Sequence, residues 1–384
     1  MRIFVTGVTG QLGRVLAKTL SKRHEVVGLA RPNSQTQQVV ANLSKLVLGD
    51  LLYPEGFIDE VAVCDCIIFN AAVYRDSGVN TDTYFKVNVG SLARVFELLR
   101  KRGNVRAKKA ILVSTNAVHD LTKDKPVTET SSYGPADYYQ YSKLLAEFEF
   151  LKWVEILGFQ GNIVRPAMIW GDGDERLKKI FLLAKKKLIP VIGNHNPWCH
   201  FITFSDVAWC IERLIENNDL SKEAFLVAGR RAVRLRSLLG IISFMLGKKP
   251  VFFNIPLGLL YFLTDYVEPI FRLFGKNPPL FRRRLAFFTK NRIFDCSKFE
   301  KFFGKPYSED LLVEIHNNLL DYQMIPPSHE IFEYTSRFEG GVNKNARIYL
   351  KYDTWTWAEE KNEVLLQISP EVKPVKFNFE KSEA

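Results

Sequence analysis

The chain opens with a five-residue β-rich run, Arg2–Thr6, that gives way at once to Gly7, Gly10 and Gly13 and then to an amphipathic helix with Val15, Leu16 and Leu20 on one face. This strand, G-x-x-G-x-x-G and helix in succession constrains the fold more than any other feature. A strand that reverses into a helix within a few residues needs glycine for the tight turn, and again where the helix packs closely on the strand. The helix N-terminus then presents unsatisfied N–H groups and the positive end of a dipole, a setting suited to phosphate. Thr6, Gly7, Thr9, Gly10, Gln11, Leu12 and Gly13 are therefore the candidates for cradling the pyrophosphate of a dinucleotide. Three glycines alone would say little; their place at the first strand–helix junction makes the signal specific.

Further strands are predicted at Glu25–Leu29, Leu46–Leu48, within Val61–Asn70, at Lys109–Ser114 and at Gly161–Arg165. Helical periodicity covers Phe85–Arg100 and Tyr138–Leu157, the second stopped by Gly158. Strands that are apolar throughout, alternating with helices, indicate a parallel sheet covered on both faces: an α/β, doubly wound Rossmann sheet. After Pro166 the rhythm changes. Helices are expected at Leu177–Leu188, with Lys185, Lys186 and Lys187 on a solvated face, and at Asp206–Glu216, with a strand at Ala224–Val227. Val251–Phe274 is rich in Phe, Leu and Ile. From about Ser328 the composition shifts again, with strand-like alternation at Ile348–Trp357 and Val364–Ile368 that places Trp355 and Trp357 on one face. The expected organisation is a Rossmann core over residues 1–165, a smaller substrate-binding region over 166–327 whose strands and helices return to the core, and a C-terminal extension over 328–384 with no assigned role.

A formal charge of +11 over 384 residues raises the question of nucleic acid. No Arg/Gly-rich, zinc-finger or aromatic–basic pattern accompanies it, so surface solubilisation is the better account. The cysteines (Cys64, Cys66, Cys199, Cys210 and Cys296) and the scattered histidines have no metal-ligand spacing, so no metal is expected. Cys64 and Cys66 read as core residues, and the cysteine usage points to a reducing compartment. With no leader pattern and no apolar run near the roughly 20 residues that span a bilayer, a cytoplasmic location is expected.

Two further constellations carry chemistry. Where NAD sites place an acid at the end of the second strand, this chain has Ala30 and Arg31, which would admit and pair with a 2′-phosphate, so NADP(H) is favoured over NAD(H). Tyr139 and Lys143 form Y-x-x-x-K at the start of a helix, four residues apart and hence on one face. A phenol with a pKa of about 10 is a poor acid–base near neutrality. A neighbouring ammonium lowers that value and lets the tyrosine exchange the proton that balances a hydride transfer. Thr115, at the end of the fifth strand, offers a hydroxyl to orient the substrate oxygen, with Ser114 as the fallback.

Thr6–Gly13, Asp50-Leu51, Asn70-Ala71-Ala72, Asn88, Ser114-Thr115, Tyr139/Lys143 and Arg165-Pro166 fall in the order seen in extended short-chain dehydrogenases/reductases of the NAD-dependent epimerase/dehydratase superfamily, which the chain resembles over residues 1–325. The resemblance implies Thr115, Tyr139 and Lys143 as catalytic, Asp50 and Leu51 at the adenine, Asn70, Ala71 and Ala72 bordering the cofactor, and Pro166 near the nicotinamide. Lys143 would reach the nicotinamide ribose. Asn88 fits as well, with helix packing as its alternative role; Tyr138 and Tyr141 read as ordinary core or surface aromatics.

Sugar-nucleotide members carry an arginine shortly before a segment that here reads Phe201–Asp206, and Trp198, Cys199 and His200 stand there instead. Phe294–Lys298 followed by Phe303–Pro306 resembles the C-terminal signature of the 3β-hydroxysteroid dehydrogenase-like branch. The expected activity is therefore hydroxyl–keto interconversion on a lipophilic, steroid-like or β-keto acyl substrate. The alternatives are a sugar-nucleotide epimerase or dehydratase and a non-catalytic nucleotide-binding scaffold. Asp265, Glu268 and Pro269 break the Val251–Phe274 stretch, so it does not span a membrane. It is either a pair of core helices capping the substrate or a peripheral membrane contact, with Arg282, Arg283 and Arg284 meeting anionic headgroups. A homodimer, through the helix carrying the tyrosine and the one before it, follows from the resemblance alone.

Overall fold

The computed structural model describes residues 1–74, 80–121, 126–171, 174, 177–193, 195–273, 282–305 and 311–326, and three short strands in the tail at 355–358, 363–366 and 375–378. It divides into two compact units. The first comprises Met1–Trp170, His200–Gly229 and Arg292–Ser308, and the second Gly171–Cys199, Arg230–Asn291 and Glu309–Ala384.

In chain order the first unit begins with β1 (Arg2–Thr6), α1 (Gln11–Leu20), β2 (Glu25–Ala30), β3 (Lys45–Leu48), α2 (Ile58–Ala62), β4 (Cys66–Phe69), α3 (Thr81–Phe85), α4 (Ser91–Arg102), β5 (Lys109–Val113), α5 (Tyr138–Leu157), β6 (Gln160–Pro166) and β7 (Met168–Trp170). The second unit then supplies α6 (Lys178–Ala184) and β8 (Leu188–Ile192), before β9 (Trp198–Thr203), α7 (Phe204–Glu216) and β10 (Ala224–Val227) lead back into the first. Next come β11 (Ala232–Arg234), α8 (Leu235–Met245), β12 (Val251–Ile255), α9 (Leu257–Leu273) and α10 (Arg282–Thr289) of the second unit and α11 (Ser297–Phe303) of the first. Last are α12 (Leu311–Asp321) and the antiparallel β13 (Trp355–Ala358), β14 (Glu363–Leu366) and β15 (Val375–Asn378).

The core of the first unit is a seven-stranded sheet in the order β10-β6-β5-β4-β1-β2-β3, parallel at every pairing. Side chains of a strand alternate between faces, and both faces here are apolar. Ile3, Val5, Ile68 and Val113 pack with Leu16 and Leu20 of α1, Val207 and Ile211 of α7 and Phe299 of α11. Phe4, Ile67, Phe69 and Leu112 face the other way, onto Val95, Phe96 and Leu99 of α4 and Phe150 and Val154 of α5. Each such side chain contributes about 1.5–3 kcal/mol on leaving water. The sheet is thus a doubly wound three-layer α/β structure. The strand order reverses between β1 and β4, which opens a crevice at their C-terminal ends.

Several local expectations are corrected. The helix expected over Leu177–Leu188 ends at Ala184, because Leu188–Ile192 pairs in parallel with Val251–Ile255; Lys185–Lys187 are exposed but lie in the turn between. Val251–Phe274 is therefore not a pair of core helices. It is a strand, then Pro256, then α9, on which Leu260 is buried while Leu259, Phe262, Leu263 and Tyr266 are 41–62% exposed. The fourth strand does fall within Val61–Asn70, at Cys66–Phe69, with Val61 and Ala62 closing α2 before it. The helical stretch expected from Phe85 begins earlier and is broken by a π-turn at Lys86–Gly90. In the tail, the expectations for 348–354 and 367–368 lie outside the described residues.

Two glycines make the β1–α1 junction possible. Gly7 has φ +66°, and a Cβ there would stand 2.8 Å from Ala71 Cα. A Cβ on Gly13 would stand 2.2 Å from the Gly7 carbonyl oxygen and 2.8 Å from Val8 Cα, all backbone atoms that cannot move aside. Gly13→Ala is expected to destabilise the chain by about 3 kcal/mol or more, through overpacking against fixed atoms. Gly56→Ala, where a Cβ meets nothing within 4 Å, should stay within about 0.5 kcal/mol of the parent. Urea unfolding of the two variants checks both.

Candidate active site

Because all seven strands run parallel, the residues that follow their C-terminal ends share one edge of the sheet. Gly7 follows β1, Arg31 follows β2, Asp50 lies just beyond β3, Asn70 and Ala71 follow β4, Ser114 and Thr115 follow β5, and Pro166 ends β6. The candidate residues are gathered there although the chain separates them widely.

At the β1 end, Gly10 caps α1 without any side-chain hydrogen bond, and no acid lies in the first turn. The first-turn N–H groups therefore face outward with a positive dipole and no competing carboxylate, which suits a pyrophosphate. Leu12 is buried in the core, so only its backbone is available to a ligand. Thr6 is buried too, and its hydroxyl works inside the sheet: it accepts from Asn70 N and Ala71 N, both at 3.0 Å, and donates to Ile68 O at 3.3 Å. Asn70 Nδ2 returns the favour to the carbonyls of Thr6 and Gly7 at 3.2 and 3.3 Å. These bonds fix the separation of β1 and β4 at the crevice. Ala30 is buried and Arg31 is exposed beside it. The Asp50 carboxylate accepts from Leu52 N at 2.9 Å, and Leu51 is half-buried against the core. Ala71 is half-buried, Ala72 is exposed, and Thr9 in the glycine turn and Gln11 at the start of α1 are half-buried.

The start of α5 is set by local chemistry. Asp137 accepts from Gln140 N at 2.9 Å, and the Gln140 side chain reaches back to Ala136 N at 2.5 Å, a reciprocal N-cap. This places Tyr139 in the first turn and Lys143 one turn on, beneath it on the same face. Tyr139 is half-buried and meets the ring of Tyr74 edge-on at 4.9 Å, while Tyr138 and Tyr141 are exposed. Lys143 is 2% exposed and donates to Val113 O at 2.6 Å. Burial pulls its ammonium down to about 8, and Glu147 opposes that pull.

Thr115 and Ser114 differ in availability. Ser114 is buried and its hydroxyl is hydrogen-bonded to Glu147 Oε1. Thr115 is half-buried, and its hydroxyl accepts from Ala117 N at 3.2 Å, which leaves its proton free to point elsewhere. Asn88 sits in the π-turn as a clamp. It accepts from Val73 N at 2.8 Å and donates to Val73 O at 3.2 Å and to Ser142 Oγ at 2.9 Å, tying the loop after β4 to the first turns of α5. Glu147, Tyr74 and the Ser142–Asn88 bond escaped the sequence reading. The one signal for Glu147 is an acid four residues beyond Lys143 on the apolar face. Among the described residues His24, Glu212 and Glu216 also converge, with ligand atoms within 4.8 Å of one another, but Arg23 already bridges both carboxylates at 2.8 Å.

The depressed lysine makes a pH prediction. Unfolded, Lys143 holds its proton up to about 10.5; folded, it loses it near 8. Between these values the unfolded chain binds more protons, so stability rises with pH, and the full penalty is present below about 8. That penalty is of the order of 3 kcal/mol. Lys143→Met removes it, so urea unfolding from pH 7 to 10 should show the variant's advantage shrinking as pH rises through 8.

The NAD dependent epimerase/dehydratase family matches residues 3–228. A Stigmatella aurantiaca enzyme, 4-hydroxy-2-methyl-3-oxo-4-farnesyl-3,4-dihydroquinoline-1-oxide ketoreductase, is 28% identical over 266 residues, which is 67% of this chain and 76% of that one. The N-acetyl-alpha-D-glucosaminyl-diphospho-ditrans,octacis-undecaprenol 4-epimerase of Escherichia coli O157:H7 is 21% identical over 302 residues, 77% of this chain and 88% of that one. Among solved structures, UDP-glucuronic acid 4-epimerase from Bacillus cereus, in complex with UDP-glucuronic acid and NAD, overlays with a TM-score of 0.66 at 18% identity and covers 85% of this chain and 100% of that one. No helix among the described residues is long and apolar enough to cross a membrane. The match over residues 3–228, joined to the parallel sheet that carries it, makes this chain a member of the NAD dependent epimerase/dehydratase family, an extended short-chain dehydrogenase/reductase and an enzyme of NAD-dependent oxidoreductase type.

Proposed function

We propose that the chain interconverts a hydroxyl and a keto group on a lipophilic substrate, using NADP(H) in preference to NAD(H). The observation that carries this reading is a buried Lys143, four residues beyond Tyr139 on α5, whose Nζ is held at 2.6 Å on the carbonyl of Val113, two residues before Thr115. The nicotinamide, when bound, supplies or accepts the hydride. Tyr139 gives its phenolic proton to the carbonyl oxygen in reduction and takes it back from the hydroxyl in oxidation. Lys143, as ammonium, stabilises the phenolate and reaches the ribose. Thr115 donates to the same substrate oxygen and fixes its direction. Gly7–Gly13 cradle the pyrophosphate, Asp50, Leu51, Asn70, Ala71 and Ala72 line the cofactor, and Pro166 borders the nicotinamide.

Arg31, exposed after the buried Ala30 with no acid in its place, supports the 2′-phosphate preference. Two relatives support a lipophilic substrate, since their names carry a farnesyl and an undecaprenol group. The C-terminal signature at Phe294–Lys298 favours the hydroxysteroid dehydrogenase-like branch. The exposed Leu259, Phe262, Leu263 and Tyr266 on α9 suit peripheral contact with a membrane. Tyr141 and Phe148 are both about half exposed, seven residues apart on α5, and suit pairing with a second copy. The 4-epimerase relative favours a second reading, epimerisation of a diphosphate-linked sugar with the cofactor retained through turnover.

Titration with NADPH and NADH, then oxidation of bound NADPH against lipophilic ketones, separates the readings. NADPH should bind about tenfold tighter than NADH, and Arg31→Ala should abolish that difference. Tyr139→Phe should lower turnover at least about 100-fold with binding unchanged. Survival of activity in that variant would remove Tyr139 from its role. Tight cofactor binding without ketone turnover would favour the epimerase.

A further inference from the structure

Behind the Tyr139/Lys143 pair lies a buried ionic cluster that the proposed reaction leaves unused. Glu147 and Arg165 have side chains 2% and 3% exposed. Arg165 donates to the Glu147 carboxylate through Nε, at 3.0 and 3.2 Å to its two oxygens, and through Nη2 at 2.7 Å. Ser114 Oγ donates to the same carboxylate. Beyond Arg165, Nη2 donates to the Tyr133 hydroxyl at 3.1 Å, and Nη1 lies 3.0 Å from His119 Nε2. His119 Nδ1 faces Ser131 O at 2.9 Å, a carbonyl that can only accept. The ring proton therefore sits on Nδ1, Nε2 accepts from Arg165, and the imidazole is neutral. Burial and the guanidinium both hold its pKa down.

Counting charges gives the consequence. The cluster contains one carboxylate, the guanidinium of Arg165 on β6, and the ammonium of Lys143 one helical turn from Glu147. Among the described residues the other titratable groups around them are Tyr139 on α5 and His119, Glu129 and Tyr133 from the segment after β5; the Glu129 carbonyl lies 3.5 Å from Arg165 Nη1, and its carboxylate accepts from Leu226 N at 2.8 Å. Lys143 otherwise meets the Val113 carbonyl. One negative charge thus bonds directly to Arg165 and lies one helical turn from a second buried cation, the Lys143 ammonium, which it favours through space.

We propose that Glu147 is a positioning residue that sets the protonation state of Lys143, and that Arg165 competes for the same carboxylate. This rests on the reading of Lys143 as the partner of Tyr139. It also explains why the cluster reaches two strand ends and the helix of the site: Ser114 precedes Thr115 after β5, Arg165 precedes Pro166 at the end of β6, and Glu147 lies one turn beyond Lys143 on α5.

The folded-state pKa of Lys143 is measurable without cofactor, as the pH at which the stability difference between a protein and its Lys143→Met form changes. Glu147→Gln should move that value down by about one pH unit or more, and Arg165→Gln should move it up. Glu147→Asp, which keeps the charge, should return it towards the parent value. Opposite shifts do not arise from general loosening of the fold. A value that stays put, or moves the same way in both charge variants, overturns the proposal. If Glu147→Gln does not fold, Arg165→Gln decides alone by the sign of its shift. If neither folds, Ser114→Ala decides, since removing one hydrogen bond to the carboxylate should raise the value and an unmoved value overturns the proposal. NADPH binding measured over the same pH range tells the two readings apart. A lysine that shifts as expected while NADPH fails to bind supports the role of Glu147 and sinks the cofactor reading.

Discussion

The contact between the Gly7 turn and the first turn of α1 governs the rest of the first unit. A Cβ on Gly13 would lie well inside the radius of the Gly7 oxygen, so α1 can approach β1 only without one. That approach brings the helix N-terminus to the sheet edge, and the Thr6 hydroxyl then joins β1 to β4 through both Asn70 N and Ala71 N. The crevice at the strand reversal is therefore a product of backbone contact and of one buried threonine. Neither can be exchanged for bulk hydrophobic packing, because both fix a distance that a ligand has to match.

Elements governed by local chemistry were the most legible in the sequence. α5 was readable from Tyr138 to Leu157 because Asp137 caps its start and Gly158, at φ +63°, closes its end. β8 and β12 were not, since each is a strand only by virtue of the other, and no local signal announces a partner far along the chain. The site divides the same way. Spacing picked out Tyr139, Lys143 and Thr115, and the structure adds the reason to prefer Thr115 to Ser114, whose hydroxyl is already engaged. Glu147 and Glu149 look alike in sequence, yet one is buried on Arg165 and the other pairs with Lys152 at 3.0 Å near the surface. Only the facing strand ends distinguish them.

A buried ion pair is an expensive way to join two strands to a helix. Desolvating both charges often costs as much as their attraction returns, and apolar side chains of the same volume commonly stabilise more. The cluster around Glu147 therefore needs a reason other than stability. Lys143 supplies one: burial works to strip its charge, the adjacent carboxylate opposes that pull, and the balance stands at about 8, so the carboxylate is the means of holding the ammonium without exposing it to water.

The same logic separates what packing and hydrogen bonding each do for α5. Ala146, Phe150, Trp153 and Val154 bury one side of the helix and fix how deep it sits. Dispersion and the hydrophobic effect are not directional, so they tolerate a few degrees of rotation at little cost. Asn88 on Ser142, Ser142 on the Tyr139 carbonyl at 2.8 Å, and Glu147 on Arg165 do not, since each weakens steeply away from its preferred angle. These contacts lie on the turns that carry Tyr139 and Lys143. Apolar burial holds the helix in place, and the polar contacts aim it.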